Sequence, residues 1–313
     1  MTFDPNTTAF MFPGQGSQAV GMGSSLAQAF PVARATFAEA DAILDLPFSA
    51  IMWNGPEADL NDTFNTQPAL FIHSLAVYRV FESLFPGLRP AYMAGHSLGQ
   101  LSAITAAGGI AFADGLRLVR RRGELMKHAG LVNPGGMAAL LGIDIPSLDR
   151  VCVEASTPDE IVQVANDNCP GQVVISGHKA ALERAMAGAK LAGAKRALPL
   201  AVSIAAHSPL METIQAEWNQ AVSAAGFADT RTPVVANVAA APLWKSADLR
   251  ADVMAQMQSR VRWTESVQWM AAQGVNTFIE LGSGTVLGGM LKRLVEGARS
   301  LPLGNPADFA ALQ

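Results

Sequence analysis

Residues 91–113 contain no Asp, Glu, Lys or Arg, and this uncharged stretch restricts the fold more than any other feature of the sequence. A stretch of this kind either crosses a membrane or is buried in a protein core. It includes His96, Ser97 and Gln100 among several glycines, and such polar groups are costly in lipid. The small residues instead favour a buried strand at 92–95 that meets a helix at a tight turn. We therefore predict no membrane span and expect an α/β protein with this segment in its core.

The turn itself, Gly95-His96-Ser97-Leu98-Gly99, matches the G-x-S-x-G pattern between a predicted strand and a predicted helix. A serine in this position has its hydroxyl raised out of the sheet, and the amide of Leu98 points from a helix N-terminus towards a developing oxyanion. The pentapeptide alone is a weak signal, because a chain with 28 glycines produces such matches by chance. An ordinary packed turn therefore stays open as the alternative interpretation.

Composition restricts the class of protein and its partners. Half of the 313 residues are hydrophobic and 15% are charged, which indicates a closely packed globular protein. A net charge of −4 provides no field for nucleic acid, which is not an expected partner. Cys152 and Cys169 are the only cysteines, too few for a disulfide framework and not arranged with histidines as a metal site. With no secretory signal at the N-terminus, these features predict a cytoplasmic protein without a bound metal.

Hydrophobic periodicity predicts α/β alternation that is interrupted by a different unit. A buried strand at 8–12 ends in the glycine-containing loop 13–18, and alternation resumes with strands at 234–238 and 278–281. The segment between them reads as strand, helix, strand, strand, helix and strand, which is the ferredoxin-like order. Its predicted elements are 137–143, 145–155, 162–166, 172–176, 180–192 and 197–202.

The predicted fold class is therefore α/β, with an α/β-hydrolase-like large domain and an inserted ferredoxin-like small domain. Joins that contain proline or glycine, at 133–136 and 203–209, are the natural boundaries between the two. We predict a large catalytic domain formed by residues 1–132 and 204–313, and a small domain formed by residues 133–203.

A serine hydroxyl is a poor nucleophile until a base takes its proton, so catalysis by Ser97 requires a histidine. The chain offers five histidines. His73 lies in an apolar helix, as expected of a core residue, and His128 and His178 lie at polar helix ends. His96 adjoins Ser97 on the turn and should point elsewhere. His207 opens a predicted helix in a loop and is the better candidate for the base.

Beyond these residues, an ordered set of motifs extends over nearly the whole chain. The motifs are FPGQGSQ (12–18), GHSLG (95–99), RGELM (122–126), VAN (164–166), PGQVVISG (170–177), His207, VRW (261–263) and ELG (280–282). In this order they resemble the malonyl-CoA:acyl carrier protein transacylases, the acyltransferase family of fatty acid and polyketide synthesis.

The resemblance implies a role for individual positions. Ser97 would be the nucleophile and His207 the general base, with the backbone carbonyl of Gln256 accepting a hydrogen bond from His207. The amides of Gln15 and Leu98 would form the oxyanion hole.

Two further positions concern the substrate. Arg122 would bind the malonyl carboxylate, since a guanidinium fork suits a planar anion. From its position in a run of three arginines alone, Arg122 ranks no higher than its neighbours. Asn166 is a possible cleft-lining residue that binds substrate, although a buried Asn more often satisfies backbone groups.

Two departures from the family pattern bear on specificity. Gln100 stands where the family commonly has Glu, which puts a carboxylate role there in doubt. Small residues at Ala205 and Ala206, just before His207, leave room beside the acyl α-carbon. Malonyl is favoured, and methylmalonyl stays open as a substrate.

The expected reaction is ping-pong transfer of a malonyl group from malonyl-CoA to the phosphopantetheine thiol of acyl carrier protein, with no metal or bound cofactor. A thioesterase or esterase would use the same Ser97 and His207 but release the acyl group to water. A scaffold that binds the carrier protein without turnover is the non-enzymatic alternative. The protein is expected to be a monomer without a membrane partner.

Acyl carrier proteins are acidic, so docking should use a local basic surface. The segment 178–196 carries five bases and one acid, Glu183. Ordinary solvated charges on a surface helix explain this surface equally well. We call the five bases the 179–196 basic surface: Lys179, Arg184, Lys190, Lys195 and Arg196.

Overall fold

The computed structural model describes residues 3–310 and 312, and its fold is α/β. The strands are β1 Thr8–Phe12, β2 Tyr92–Gly95, β3 Gly135–Leu141, β4 Val162–Cys169, β5 Gln172–His178, β6 Arg196–Pro199, β7 Val234–Val235, β8 Pro242–Leu243, β9 Val261–Arg262, β10 Thr277–Leu281 and β11 Arg299–Leu303. The helices are α1 Ser24–Ala29, α2 Pro31–Leu44, α3 Phe48–Asn54, α4 Glu57–Asn61, α5 Thr63–Leu84, α6 Gly99–Ala106, α7 Phe112–Val132, α8 Ile145–Ala155, α9 Lys179–Leu191, α10 Glu212–Ala224, α11 Ser246–Ala255, α12 Trp263–Ala272, α13 Val286–Leu294 and α14 Pro306–Ala310.

The larger sheet has the strand order β11-β10-β1-β2-β7-β8, and all its neighbours are parallel except β7 and β8. The central strand β1 is buried on both faces, as parallel strands between helical layers are. Phe10 and Phe12 pack into the core shared with α5, α6 and α7, whereas Ala9 and Met11 pack towards α12 and α13. The sheet therefore lies between two layers of helices.

The smaller sheet has the order β6-β3-β5-β4-β9. Its first four strands are antiparallel and, with α8 and α9, give the predicted ferredoxin-like succession of elements. The fifth strand, β9, comes from the far end of the chain and pairs parallel to β4, which the sequence did not predict. This pairing joins the inserted unit to the rest of the protein. The exact domain boundaries at 132/133 and 203/204 stay predictions.

The uncharged stretch 91–113 divides into β2, α6 and the first residues of α7, as a tight turn between a buried strand and a helix requires. Every residue of α6 is buried. Within residues 3–310 and 312, no helix combines the length and the apolar character needed to span a bilayer. The absence of charge in this segment thus reflects burial in the core.

Candidate active site

The turn between β2 and α6 holds Ser97 in a left-handed backbone conformation, with φ of 52°. L-residues rarely adopt this conformation, and here it raises the hydroxyl above the carboxyl end of β2. The flanking glycines permit the turn sterically. A Cβ on Gly95 would lie 1.9 Å from the backbone of Gly99, and a Cβ on Gly99 would lie 2.1 Å from the carbonyl oxygen of Phe12. Both glycines of the G-x-S-x-G pattern are therefore required, because a side chain at either position would collide with the backbone.

His207 approaches Ser97 from a distant part of the chain, and its Nε2 lies 2.8 Å from the Ser97 Oγ. The other ring nitrogen, Nδ1, lies 2.9 Å from the backbone carbonyl oxygen of Gln256. Because a carbonyl can only accept, Nδ1 carries the proton and Nε2 accepts from the serine hydroxyl. His207 also has a positive φ of 59°, so two strained residues face each other. The two predicted residues form a dyad with a neutral orienting group.

Burial lowers the pKa of His207 from its ordinary value of 6.5 to about 3, and the positive charge of Arg122 acts in the same direction. The imidazole is therefore neutral at physiological pH and available to accept a proton. None of the other four histidines contacts Ser97. His73 bonds the carbonyl of Gly304, His178 accepts from the amide of Ile161, and His128 is exposed.

Arg122 is almost completely buried, with 1% of its surface exposed, and lies beside the dyad. Its Nη2 donates to Ser97 Oγ at 3.1 Å and to the Gln256 side-chain oxygen at 2.9 Å, and its Nη1 donates to the Gln67 side-chain oxygen at 2.9 Å. Within the described residues no carboxylate pairs with this guanidinium, and its Nε has no partner. Burial lowers the pKa of Arg122 to about 10, which leaves it charged. A buried, unpaired cation at this place provides a site for an anion.

The neighbouring arginines have different environments, which the sequence could not rank. Arg121 is partly exposed and pairs with Glu124 and Glu217. Arg120 lies over the ring of Phe64 and donates to its carbonyl oxygen at 3.0 Å. Of the three arginines only Arg122 lines the cavity, because it is the one that is fully buried beside the elbow.

The two amides expected to form an oxyanion hole lie on either side of Ser97. Leu98 follows it directly at the N-terminus of α6, and Gln15 lies in the loop after β1. Within the described part of the chain neither amide makes a hydrogen bond. The Gln15 side chain donates to the Thr63 hydroxyl at 3.2 Å, which fixes the loop against α5. Two free amide donors therefore border the space in front of the serine hydroxyl.

A network of buried amides beneath the elbow was not predicted as part of the site. The Asn237 side chain accepts from the Ser97 amide at 2.8 Å and donates to the Gly95 carbonyl at 2.8 Å. Gln100, where the family commonly has Glu, donates to the carboxylate of Asp252 at 2.8 Å. An amide side chain in an otherwise apolar helix is the signal for such residues, since a buried amide must find partners. That signal predicts a hydrogen bond but does not identify the partner.

The site opens into a cavity of about 570 Å³ between the two sheets. Ser97 on the elbow, Arg122 on α7 and His207 line one side of it, and Asn166 on β4 of the smaller sheet lines the other. His96 points away from the dyad, and its Nε2 lies 2.8 Å from the side-chain oxygen of Asn168 on β4. The elbow is thereby fixed to the smaller sheet. Residues of both units thus line one cavity in front of the Ser97 hydroxyl.

Comparison with known proteins gives a consistent family. The acyl transferase domain family matches residues 9–302. The malonyl CoA-acyl carrier protein transacylase of Escherichia coli (strain K12) is 45% identical over 303 residues, which cover 97% of both chains. The enzyme of the same name from Bacillus subtilis (strain 168) is 41% identical, over 95% of this chain and 93% of its own.

Solved structures agree with the sequence relatives. An acyl carrier protein S-malonyltransferase from Vibrio cholerae superimposes with a TM-score of 0.95 at 42% identity, over 98% of this chain and 100% of its own. A malonyl-transacylase in complex with its type II PKS acyl-carrier protein gives a TM-score of 0.93 at 42% identity, over 97% and 98% of the two chains. Both the fold and the sequence are therefore those of one family.

Proposed function

Because the chain belongs to the acyl transferase family of malonyl CoA-acyl carrier protein transacylases, we propose that it transfers a malonyl group from malonyl-CoA to the phosphopantetheine thiol of an acyl carrier protein. The observation that carries the proposal is the position of Arg122. A buried guanidinium without a carboxylate partner among the described residues donates to the same oxygen that contacts the His207 base. This arrangement suits an acyl group that carries its own carboxylate.

The first half-reaction acylates Ser97. His207 Nε2 takes the proton from Ser97 Oγ, which attacks the thioester carbonyl carbon and forms a C–O bond. The oxyanion of the tetrahedral intermediate accepts hydrogen bonds from the amides of Gln15 and Leu98. The C–S bond then breaks, and the coenzyme A sulfur leaves with the proton held by His207.

The second half-reaction reverses the order of bond changes. The phosphopantetheine thiol gives its proton to His207, and its sulfur attacks the carbonyl of the acyl-serine. The C–O bond to Ser97 breaks, and the serine oxygen recovers the proton from His207. Neither half-reaction calls for a metal or a bound cofactor in this proposal, since every proton and bond change is assigned to the substrates and to the Ser97–His207 dyad.

The substrate carboxylate binds Arg122 in place of the Ser97 hydroxyl contact, within a cavity lined mostly by apolar groups. A charge-assisted, bidentate pair in such a place distinguishes malonyl from acetyl, because acetyl leaves the guanidinium without an anion. Asn166 lines the same cavity and is proposed to contact the acyl-carrying substrate.

Requirement for a thiol acceptor separates transfer from hydrolysis. Purified protein is mixed with malonyl-CoA, and coenzyme A release is measured with and without holo-acyl carrier protein. We expect one rapid equivalent of coenzyme A per enzyme without acceptor, followed by release in proportion to the carrier added. Continuous release without a carrier would indicate a thioesterase, and no release in either case would indicate a scaffold. Ser97→Ala is the control that should remove the rapid equivalent.

Docking of the acidic carrier is proposed on the 179–196 basic surface. Lys179, Lys190, Lys195 and Arg196 are exposed, and Arg184 pairs with Glu160 at 2.6 Å. Strand β6 leads from Arg196 to residues 200–202, which line the cavity. Lys190→Glu with Lys195→Glu should slow transfer to the carrier and reduce its salt dependence, whereas Lys245→Glu on the large domain should not. Transfer rates insensitive to both salt and charge reversal would exclude this surface.

We further propose that the protein works as a monomer in the cytoplasm, without a nucleic acid or membrane partner. The support is the pair of free, buried cysteines and the completeness of the dyad within one chain. Sedimentation at micromolar concentration, with and without the carrier, measures the oligomeric state directly.

A further inference from the structure

The buried carboxylate nearest to the active-site network belongs to Asp252, which does not touch Ser97, His207 or Arg122. Asp252 is 7% exposed and lies on α11 beneath the elbow. No cation pairs with it among the described residues. Its oxygens accept from the backbone amide of Ala239 at 2.9 Å and from the Gln100 side chain at 2.8 Å. A buried carboxylate is costly unless its oxygens are hydrogen-bonded, so the groups that bond Asp252 indicate what holds it in place.

The carboxylate favours one orientation of the Gln100 amide. The contacts of Asp252 are with N–H donors, the Gln100 nitrogen among them, so the Gln100 oxygen faces the opposite direction. There the oxygen accepts from the backbone amide of Asn237 at 3.1 Å and from the side-chain nitrogen of Gln256 at 2.8 Å. A rotated Gln100 would direct NH₂ at two donors, and the orientation is therefore unique.

The orientation of the Gln256 amide follows in the same way, and it determines what faces Arg122. The Gln256 nitrogen donates to the Gln100 oxygen and to the Ser97 carbonyl at 3.0 Å, so the Gln256 oxygen is directed at Arg122 Nη2, 2.9 Å away. Arg122 can only donate, and an inverted Gln256 would place NH₂ against it. Asp252 thus acts in the same sense as two backbone groups, the Asn237 amide and the Ser97 carbonyl, to orient two amides in series, and the second amide holds the guanidinium.

We infer that Asp252 is a positioning residue for substrate selection: through Gln100 and Gln256 it orients Arg122 towards the carboxylate of the acyl group. This inference rests on the proposed malonyl transfer. The guanidinium keeps its full charge for the substrate because its protein partners are neutral, two amide oxygens and the Ser97 hydroxyl, while the nearest carboxylate of the network lies two side chains away. A carboxylate in direct contact with Arg122 would compete with the malonyl group.

The test is a competition between malonyl-CoA and acetyl-CoA, with the two acyl-Ser97 products measured by mass spectrometry. In Asp252→Asn one acceptor oxygen becomes NH₂, so the side chain can no longer accept from both Gln100 and the Ala239 amide. We expect the malonyl preference to fall about tenfold, mainly through KM for malonyl-CoA, because a hydrogen bond to a charged group weakens. Acetyl transfer should change little. Asp229→Asn is the matched control, because this exposed carboxylate also accepts from a backbone amide, that of Ser246.

Restoration of the anion provides the second arm. In the double variant Asp252→Ala with Gln100→Glu, the new carboxylate accepts directly from the Asn237 amide and the Gln256 nitrogen, so Gln256 keeps its orientation. We expect its malonyl preference to lie within about threefold of wild type. Gln100→Glu alone would place two carboxylates in contact and should lower the melting temperature.

The outcomes distinguish failure of the role of Asp252 from failure of the proposed malonyl transfer. An unchanged preference in Asp252→Asn, or a double variant that loses the preference as fully as an Arg122 variant does, overturns the role of Asp252. If Asp252→Asn fails to fold, loss of the preference in the double variant still overturns the role of Asp252. Failure of wild-type Ser97 to become malonylated would instead overturn the proposed function.

Discussion

Replacement of Arg122 by alanine should remove malonyl transfer and leave acetyl transfer largely intact. The guanidinium is buried and has three hydrogen bonds, of which only one, at 3.1 Å, reaches the nucleophile. A malonyl carboxylate would form a buried, charge-assisted pair with it, and truncation of one partner of such a pair costs about 2–5 kcal/mol. That corresponds to a loss in kcat/KM of about 30-fold to about 5,000-fold for malonyl-CoA.

For acetyl-CoA the only hydrogen bond to a reacting group that the same variant loses is the one to Ser97 Oγ, worth about 1.5 kcal/mol at the lower end for a charged donor. Its kcat/KM should therefore change by about tenfold. Arg122→Lys should fall between the two, because it keeps the charge without the planar fork. Arg121→Ala is the matched control, since this neighbour is partly exposed and pairs with Glu124 and Glu217.

The assay is acylation of Ser97 by each donor under single-turnover conditions, with thermal unfolding of each variant to establish that it is folded. An equal loss for both donors in Arg122→Ala would refute carboxylate recognition and indicate a structural role for the guanidinium. An unchanged malonyl-to-acetyl ratio would refute it as well.

Further predictions concern pH dependence and folding. Because burial holds the pKa of His207 far below 6.5, kcat/KM for acetyl-CoA should stay constant as pH falls through 6.5, and an acid limb centred there would contradict this. In Arg122→Ala the loss of the nearby positive charge favours the imidazolium, so the acid limb should move to higher pH than in wild type. Gly95→Ala should lower the free energy of unfolding by about 3 kcal/mol or more, since its Cβ would meet the Gly99 backbone. Gly289→Ala is the control and should be neutral or stabilising, because Gly289 has open space around it. Denaturant titration measures both free energies.

Local patterns in the sequence sufficed to predict the elbow and the inserted unit. Gly95 and Gly99 are required by close backbone contacts at the turn, so their spacing in the sequence is enough to predict the turn. Likewise, the order of the six elements between 135 and 199 follows from periodicity, although β3 begins and ends two residues earlier than predicted. The Ser97–His207 contact joins residues far apart in the chain and was predicted from the chemistry that a serine nucleophile requires.

Two other strand ends were also predicted too far along the chain, for reasons connected with the site. Strand β6 ends at Pro199 instead of 202, because residues 200–202 leave the sheet and line the cavity. Strand β7 ends at Val235 instead of 238, because Asn237 turns beneath the elbow to bond the Ser97 amide and the Gly95 carbonyl. Periodicity reports burial but does not report these departures from the sheet.

The polar groups beneath the elbow and around Arg122 could not be predicted as one network because they lie on separate segments of the chain. Gln67 is on α5, Gln100 on α6, Asn237 follows β7, and Asp252 is on α11. Each is an ordinary polar residue in its own segment, and its function depends entirely on the tertiary contact. Arg122 illustrates the same limit, since only packing of α7 distinguishes it from Arg121.

The most direct test of the account is mass spectrometry of the protein after brief exposure to acetyl-, malonyl- and methylmalonyl-CoA together. We expect a single acyl adduct on the peptide that contains Ser97, with malonyl predominant, and no adduct in Ser97→Ala. An adduct on another residue, a predominance of acetyl, or normal transfer to the carrier by Ser97→Ala would contradict it.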